Sequence, residues 1–141
     1  MSLVTQIRAA IIAIAEGDAQ LRALTDQASG FVRQFRDLKG ARLPAFGLFV
    51  VSNTMTGGTG VRREVAVQAT AVAEGNGAQT TAEAMTDRLR TILTVSAFAA
   101  QSLDAVLLFD TERQDDAEAA ALTARGRADL DLTLLAHTAA L

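Results

Sequence analysis

The sequence predicts an α+β domain, a mainly antiparallel sheet with two helices packed on one face. Three observations carry this expectation. Leu3, Ile7, Ala10, Ile11 and Ile14 recur at helical spacing near the start, and Met85, Leu89, Ile92 and Leu93 do so in the second half. Between and after these stripes, Val61 to Ala73 and Leu130 to Leu134 alternate apolar with polar residues, the pattern of half-buried strands. Each helix has a single apolar stripe to bury and the strands are joined by short turns, which favours an antiparallel sheet covered from one side.

The elements follow in order. Residues 3–16 form an amphipathic helix with Ser2 placed to cap it; Gly17 breaks the pattern, and Asp18 caps a short second piece carrying Leu21 and Leu24. Residues 31–38 fit either a helix stripe (Phe31, Phe35, Leu38) or a strand with Arg33 facing solvent, and the reading leans to strand. Pro44, the only proline, holds Arg42 and Leu43 toward extended geometry, and Phe46 to Val51 reads as a central strand. Ser52 to Gly60 reads as a flexible turn that makes a hairpin with the strand from Val61 to Ala73. After the breaker Gly75-Asn76-Gly77, Thr80 and Glu83 have capping-box spacing and open a helix expected to end near Val95. Ala105 to Phe109 and Leu130 to Leu134 supply the last strands, with a polar, acidic loop from Asp110 to Glu118 between them.

The 141 residues suit one domain, 1–141. Six phenylalanines are the only aromatics, so Ala, Val, Leu and Ile must fill a light core. A net charge of −3 and a charged fraction of 21% argue against a disordered tail or a basic nucleic-acid surface. The absence of cysteine removes disulfides, thiolate metal sites and a cysteine nucleophile. The run Ile11 to Ala15 is far short of the roughly 20 apolar residues a bilayer span needs, and a secretory leader is not indicated; the expectation is an unprocessed chain made in the cytosol.

No constellation of side chains points to catalysis, a metal or a cofactor. Asp115 and Asp116, with Glu112 and Glu118, lack the alternating ligand spacing and central glycine of a calcium loop and read as a solvated turn. His137, the only histidine, has no serine or aspartate in triad relation. The glycines at 57, 58 and 60 open a strand rather than a helix and lack the lysine of a phosphate loop. Arg62, Arg63, Arg88 and Arg90, like Arg125 and Arg127, have no aromatic stacking partners; they read as solvated faces or intersubunit ion-pair partners.

The succession does resemble a family. The N-terminal helix is followed by Asp18-Ala19-Gln20-Leu21-Arg22-Ala23-Leu24, then by Leu43-Pro44-Ala45 and the apolar run Phe46 to Val51. The alternating strand Val61 to Ala73, the helix Ala82 to Leu93 and the alternating strand Arg127 to Leu134 complete the order. Over nearly the whole chain this is similar to the tail terminator, or tail completion, proteins of long-tailed bacteriophages and related phage-like particles. The chain departs from that family in having neither Trp nor Tyr in the strand after Pro44, only Phe46 and Phe49.

The resemblance implies a non-enzymatic virion protein without cofactor, forming a ring of six copies at the head-proximal end of the tail tube. There it would stop tube polymerisation and offer a surface to the head connector. The implied partners are copies of itself, the major tail tube protein and a connector or neck protein, with DNA only passing through the lumen and no membrane involved. Asn53, Thr54, Met55, Thr56, Gly57 and Gly58 are the expected tube or connector contacts, and Asp110, Glu112, Asp115, Asp116 and Glu118 an axial or lumen-facing acidic loop. Arg62, Arg63, Arg88 and Arg90 are the expected intersubunit arginines. Two alternatives accompany this reading: a head-closure adaptor or tube subunit of a phage particle, and a small ligand-binding α+β domain, which would show a concave pocket lined by convergent polar groups.

Overall fold

A computed structural model describes residues 2–34, 38, 40–56, 62–114 and 125–137, with side chains at all of these except 55, 56, 113 and 114. The architecture is α+β: four helices and a five-stranded sheet in the order β1-β2-β3-β5-β4. The helices are α1 (Leu3–Glu16), α2 (Ala19–Thr25), α3 (Ala78–Ile92) and α4 (Val95–Ala100); the strands are β1 (Val32–Arg33), β2 (Ala45–Thr56), β3 (Arg62–Glu74), β4 (Ala105–Gln114) and β5 (Arg125–His137).

The first two helices start where the sequence says they should. The Ser2 hydroxyl accepts from the Thr5 N–H at 3.2 Å, and an Asp18 carboxylate oxygen accepts from the Leu21 N–H at 3.0 Å. Leu3, Ile7, Ala10, Ile11 and Ala15 of α1 enter one core with Ala82, Met85 and Leu89 of α3. The sheet contributes Phe46 and Leu48 from β2, Val65, Val67, Ala69 and Ala71 from β3, and Leu130, Leu132 and Leu134 from β5. The alternation of β3 and β5 is thus spent on burying every second side chain.

The sheet is mainly antiparallel, as expected, and three expectations about element bounds need correction. One of the sheet's four pairings is parallel, β1 with β2 through Val32–Phe46 and Arg33–Gly47; the strand reading of 31–38 holds for Val32 and Arg33, while Phe35 lies outside the described residues. The strand read as last is the last in the chain, and within the sheet β5 lies between β3 and β4. The helix at Thr80 begins two residues earlier, at Ala78, with Gly77 at φ 71° as a cap that uses no side chain. Glycine adopts that left-handed turn without strain, and the Thr80–Glu83 capping box is therefore not used. The same helix stops at Ile92, and a separate short helix, α4, starts with the Thr94 hydroxyl accepting from the Ala97 N–H at 3.1 Å.

The third correction concerns the two expected loops. Ser52 to Thr56 belongs to β2, paired down to Thr56–Arg62, and Asp110 to Gln114 belongs to β4, paired with Leu132 through Ala128. In each case a long neighbouring strand offers backbone partners to a polar segment, and ladder hydrogen bonds outweigh the side chains' preference for water.

Candidate functional site

Outside the core, three features stand out: the two ends of the sheet, the end of the β2–β3 hairpin, and a set of ion pairs that fix the helices on the sheet. Among the described residues β1 pairs with β2 at Phe46 and Gly47, so β2 lies next to one end of the sheet and is not the central strand the sequence suggests. The outer edge of β4 pairs with no strand among the described residues. Each of these strands carries a bulge, β2 between Val50 and Ser52 and β4 between Leu107 and Phe109. The β4 bulge lets Leu107 and Asp110 share one face and leaves Leu108 and Phe109 in solvent, 47% and 59% exposed.

The sites expected from the sequence are dispersed over these features. Asn53, Thr54, Met55 and Thr56 lie on the last part of β2, and Gly57 and Gly58 fall outside the described residues. Arg63 on β3 donates to the Asn53 side-chain oxygen from Nε at 2.6 Å and to its carbonyl at 3.4 Å, which stiffens the end of the hairpin; Arg62 is exposed.

Arg88 and Arg90 are engaged inside the chain. The Arg88 guanidinium holds Asp18 in a two-pronged pair, Nε to Oδ2 at 2.9 Å and Nη2 to Oδ1 at 2.8 Å, which ties α3 to the start of α2. That hydrogen-bonded pair keeps the Asp18 carboxyl below the usual carboxylate range, against a smaller opposing effect of burial. Arg90 reaches three carboxylates: Asp87 at 2.8 Å, Glu112 at 3.3 Å and Asp110 at 3.4 Å. The first lies on its own helix and the other two on β4, so Asp110 and Glu112 form part of a clamp between α3 and the edge strand. Burial pushes the Glu112 carboxyl up, as does its hydrogen bond with Asp87, and Arg90 opposes them in part. Asp115, Asp116 and Glu118 lie outside the described residues.

On the sheet face away from the core cluster, the Thr70 hydroxyl donates to Asp129 Oδ1 at 2.6 Å across the β3–β5 pair, and Arg127 approaches the same carboxylate at 3.3 Å. Both Thr70 and Asp129 are buried, and each satisfies the other. Near the C-terminal end of β5, His137 Nδ1 is 3.4 Å from the Asp104 carboxylate at the edge of an open cleft shared with Gln6 and Val95. Among the described residues there is no group of three or more acidic, histidine or cysteine side chains placed to hold a metal. No described helix is long and apolar enough to cross a membrane.

Sequence reasoning missed the long-range pairs Asp18–Arg88 and Arg90–Asp110, because opposite charges 70 and 20 residues apart carry no periodic signal. The exposed apolar edge did leave one. Ala105 to Phe109 is a continuous apolar run, and an antiparallel edge strand cannot bury every residue of such a run.

A scan against protein-family models and a search of curated proteins each gave no match. Among solved structures, the chain is similar to a chain of the virion of a native gene transfer agent particle, with a TM-score of 0.58 and 14% sequence identity. The similarity covers 96% of this chain and 96% of that one. It shows a shared fold over nearly the whole of both.

Proposed function

We propose that this chain is a structural protein of a phage-like particle: a terminator that forms a ring, of six copies by the resemblance, at the head-proximal end of the tail tube. One observation carries the proposal: the end-to-end likeness of the fold to a chain of a gene transfer agent virion. The geometry supports self-assembly, since an open sheet that ends in β1 on one side and β4 on the other can make a head-to-tail contact that closes into a ring. Its partners would be other copies of itself, the tube protein on one axial face and a connector or neck protein on the other. The stiffened hairpin end around Asn53 and Arg63 is the axial contact proposed here. An acidic lumen lining that repels passing DNA falls to Asp115, Asp116 and Glu118, because Asp110 and Glu112 are occupied by Arg90.

The same fold likeness fits a head-closure adaptor or a tube subunit of such a particle, and one experiment separates the three. Purified protein is mixed with preformed tail tubes and imaged by electron microscopy. A terminator caps one tube end and blocks further growth. Elongation of the tubes identifies a tube subunit, and failure to bind tubes removes the terminator reading.

A further inference from the structure

We propose that neighbouring copies of this chain dock side to side by charge, the basic side of one protomer around α2 and β1 meeting the acidic side of the next around β4. This deepens the ring reading and rests on it. The asymmetry is present in the sequence: residues 22–42 hold five basic and two acidic residues, and residues 104–118 hold one basic and six acidic ones. The strand order places β1, from the first segment, and β4, from the second, at opposite ends of the sheet.

On the first side Arg22, Arg33 and Arg42 are all exposed. Arg33 lies on β1, and Gln27 gathers the other two. Its backbone N–H donates to the Arg22 carbonyl at 3.3 Å, and its side-chain amide donates to the Arg42 and Pro44 carbonyls at 3.2 and 2.7 Å. Asp26, 3.9 Å from Arg42 in a fully wet pair, offsets little of this charge, and Glu16 is occupied by the N–H groups of Gly30 and Val32. On the second side Asp87, Asp110 and Glu112 share the single guanidinium of Arg90, which leaves the clamp net negative. Asp104, just before β4 and 75% exposed, adds a further carboxylate. Leu108 and Phe109 stand in solvent between Asp104 and the clamp, an apolar centre with a charged rim, which is the make-up of a protein contact. Half-buried Leu43 and Pro44, beside Arg42, are the apolar counterpart on the basic side.

The occupant is a second copy because one chain carries both members of the complementary pair. Opposite charge also selects the arrangement: β4 against β4 sets carboxylates on carboxylates and β1 against β1 sets arginines on arginines, whereas the head-to-tail contact matches them. One such contact, repeated, is what closes a ring.

The absence of cysteine makes the test clean. Ser29→Cys from the basic side and Thr111→Cys from the acidic side, both at exposed positions and neither removing a charge, are mixed in equal amounts before assembly and treated with a flexible bismaleimide. Gln34→Cys with Leu108→Cys serves as a second pair, and thermal melts confirm that each variant folds. The expected result is a cross-linked dimer in the mixtures and little in any variant alone. In parallel, Arg33→Glu with Arg42→Glu should weaken self-association at least tenfold by sedimentation at low salt. Cross-linking of Thr111→Cys by itself would mean an isologous contact and overturn the proposal. A protein that assembles yet gives no mixed cross-link with either pair, or whose association is unmoved by the charge reversal, also overturns it while leaving the ring reading standing. A protein that stays monomeric both alone and on tail tubes removes the ring reading and this contact together.

Discussion

Asp18 does two separable things. It caps α2 and it holds Arg88, and both of its oxygens are used. Asp18→Asn retains a capping oxygen and loses the ion pair; Asp18→Ala loses both. Because the pair is only partly shielded from water, the first change should cost about 1 kcal/mol and the second about 2 kcal/mol, read by denaturant unfolding. The folded-state carboxyl is lowered below its unfolded value, so this stability is present above the unfolded pKa, about 3.9, and is lost as pH falls through the folded value. The gap between the parent and Asp18→Asn should therefore be full at neutral pH and close only below about pH 4; a gap that persists unchanged in strong acid would show that the ion pair is not its source. Gly126 is a second single-residue determinant. A Cβ there would sit 2.2 Å from the Ala78 carbonyl carbon and the Gln79 nitrogen, where the first turn of α3 presses on β5. Gln79 bonds the Arg127 backbone in both directions at that contact, so the backbone has little room to yield. Gly126→Ala should destabilise by about 3 kcal/mol, visible as a lowered unfolding midpoint.

At the scale of elements, β4 is the piece whose behaviour depends most on its surroundings. Among the described residues it has one strand neighbour, and it is also held by packing against α4 and by the Arg90 clamp from α3. Glu112 in that clamp is raised above its unfolded value, so its ionised form is penalised in the fold. Its contribution therefore improves as pH falls from neutral through the raised folded value, opposite in sign to that of Asp18. Glu112→Gln should be neutral or stabilising at pH 7 and should abolish this gain on mild acidification, as followed by thermal melts between neutral pH and about pH 4.5. The elements themselves were legible where one face is consistently apolar: α1 from Leu3, Ile7 and Ile11, β3 from Val65 to Ala73, β5 from its leucines. They were illegible where tertiary pairing overrides local polarity. Asp110 to Gln114 looks like a loop until β5 is seen to run alongside it, and Ser52 to Thr56 until β3 does. The short helix α4 was hidden because six residues are too few for a repeating stripe.

For the whole molecule, the sequence conveyed the α+β class but not the strand order. Nothing local says that β5, last in the chain, slips between β3 and β4, and that insertion is what makes β4 an edge. The proposed assembly surface is accordingly a product of topology: Phe109 reads as a core residue by composition and becomes a surface residue by placement. A polar substitution there separates the two roles. Phe109→Lys should leave the monomer's melting temperature nearly unchanged and weaken self-association at least tenfold, about 1.4 kcal/mol per interface, as measured by sedimentation. The light, alanine-rich core fits the same view, because a protomer that completes part of its burial on its neighbours gains stability on assembly. The most direct test of the central claim is the mass of the protein in solution, alone and with tail tubes. A single closed oligomer, its size independent of further added protein and bound to tube ends, is the predicted result; a persistent monomer in both conditions, or filaments that lengthen as protein is added, would contradict it.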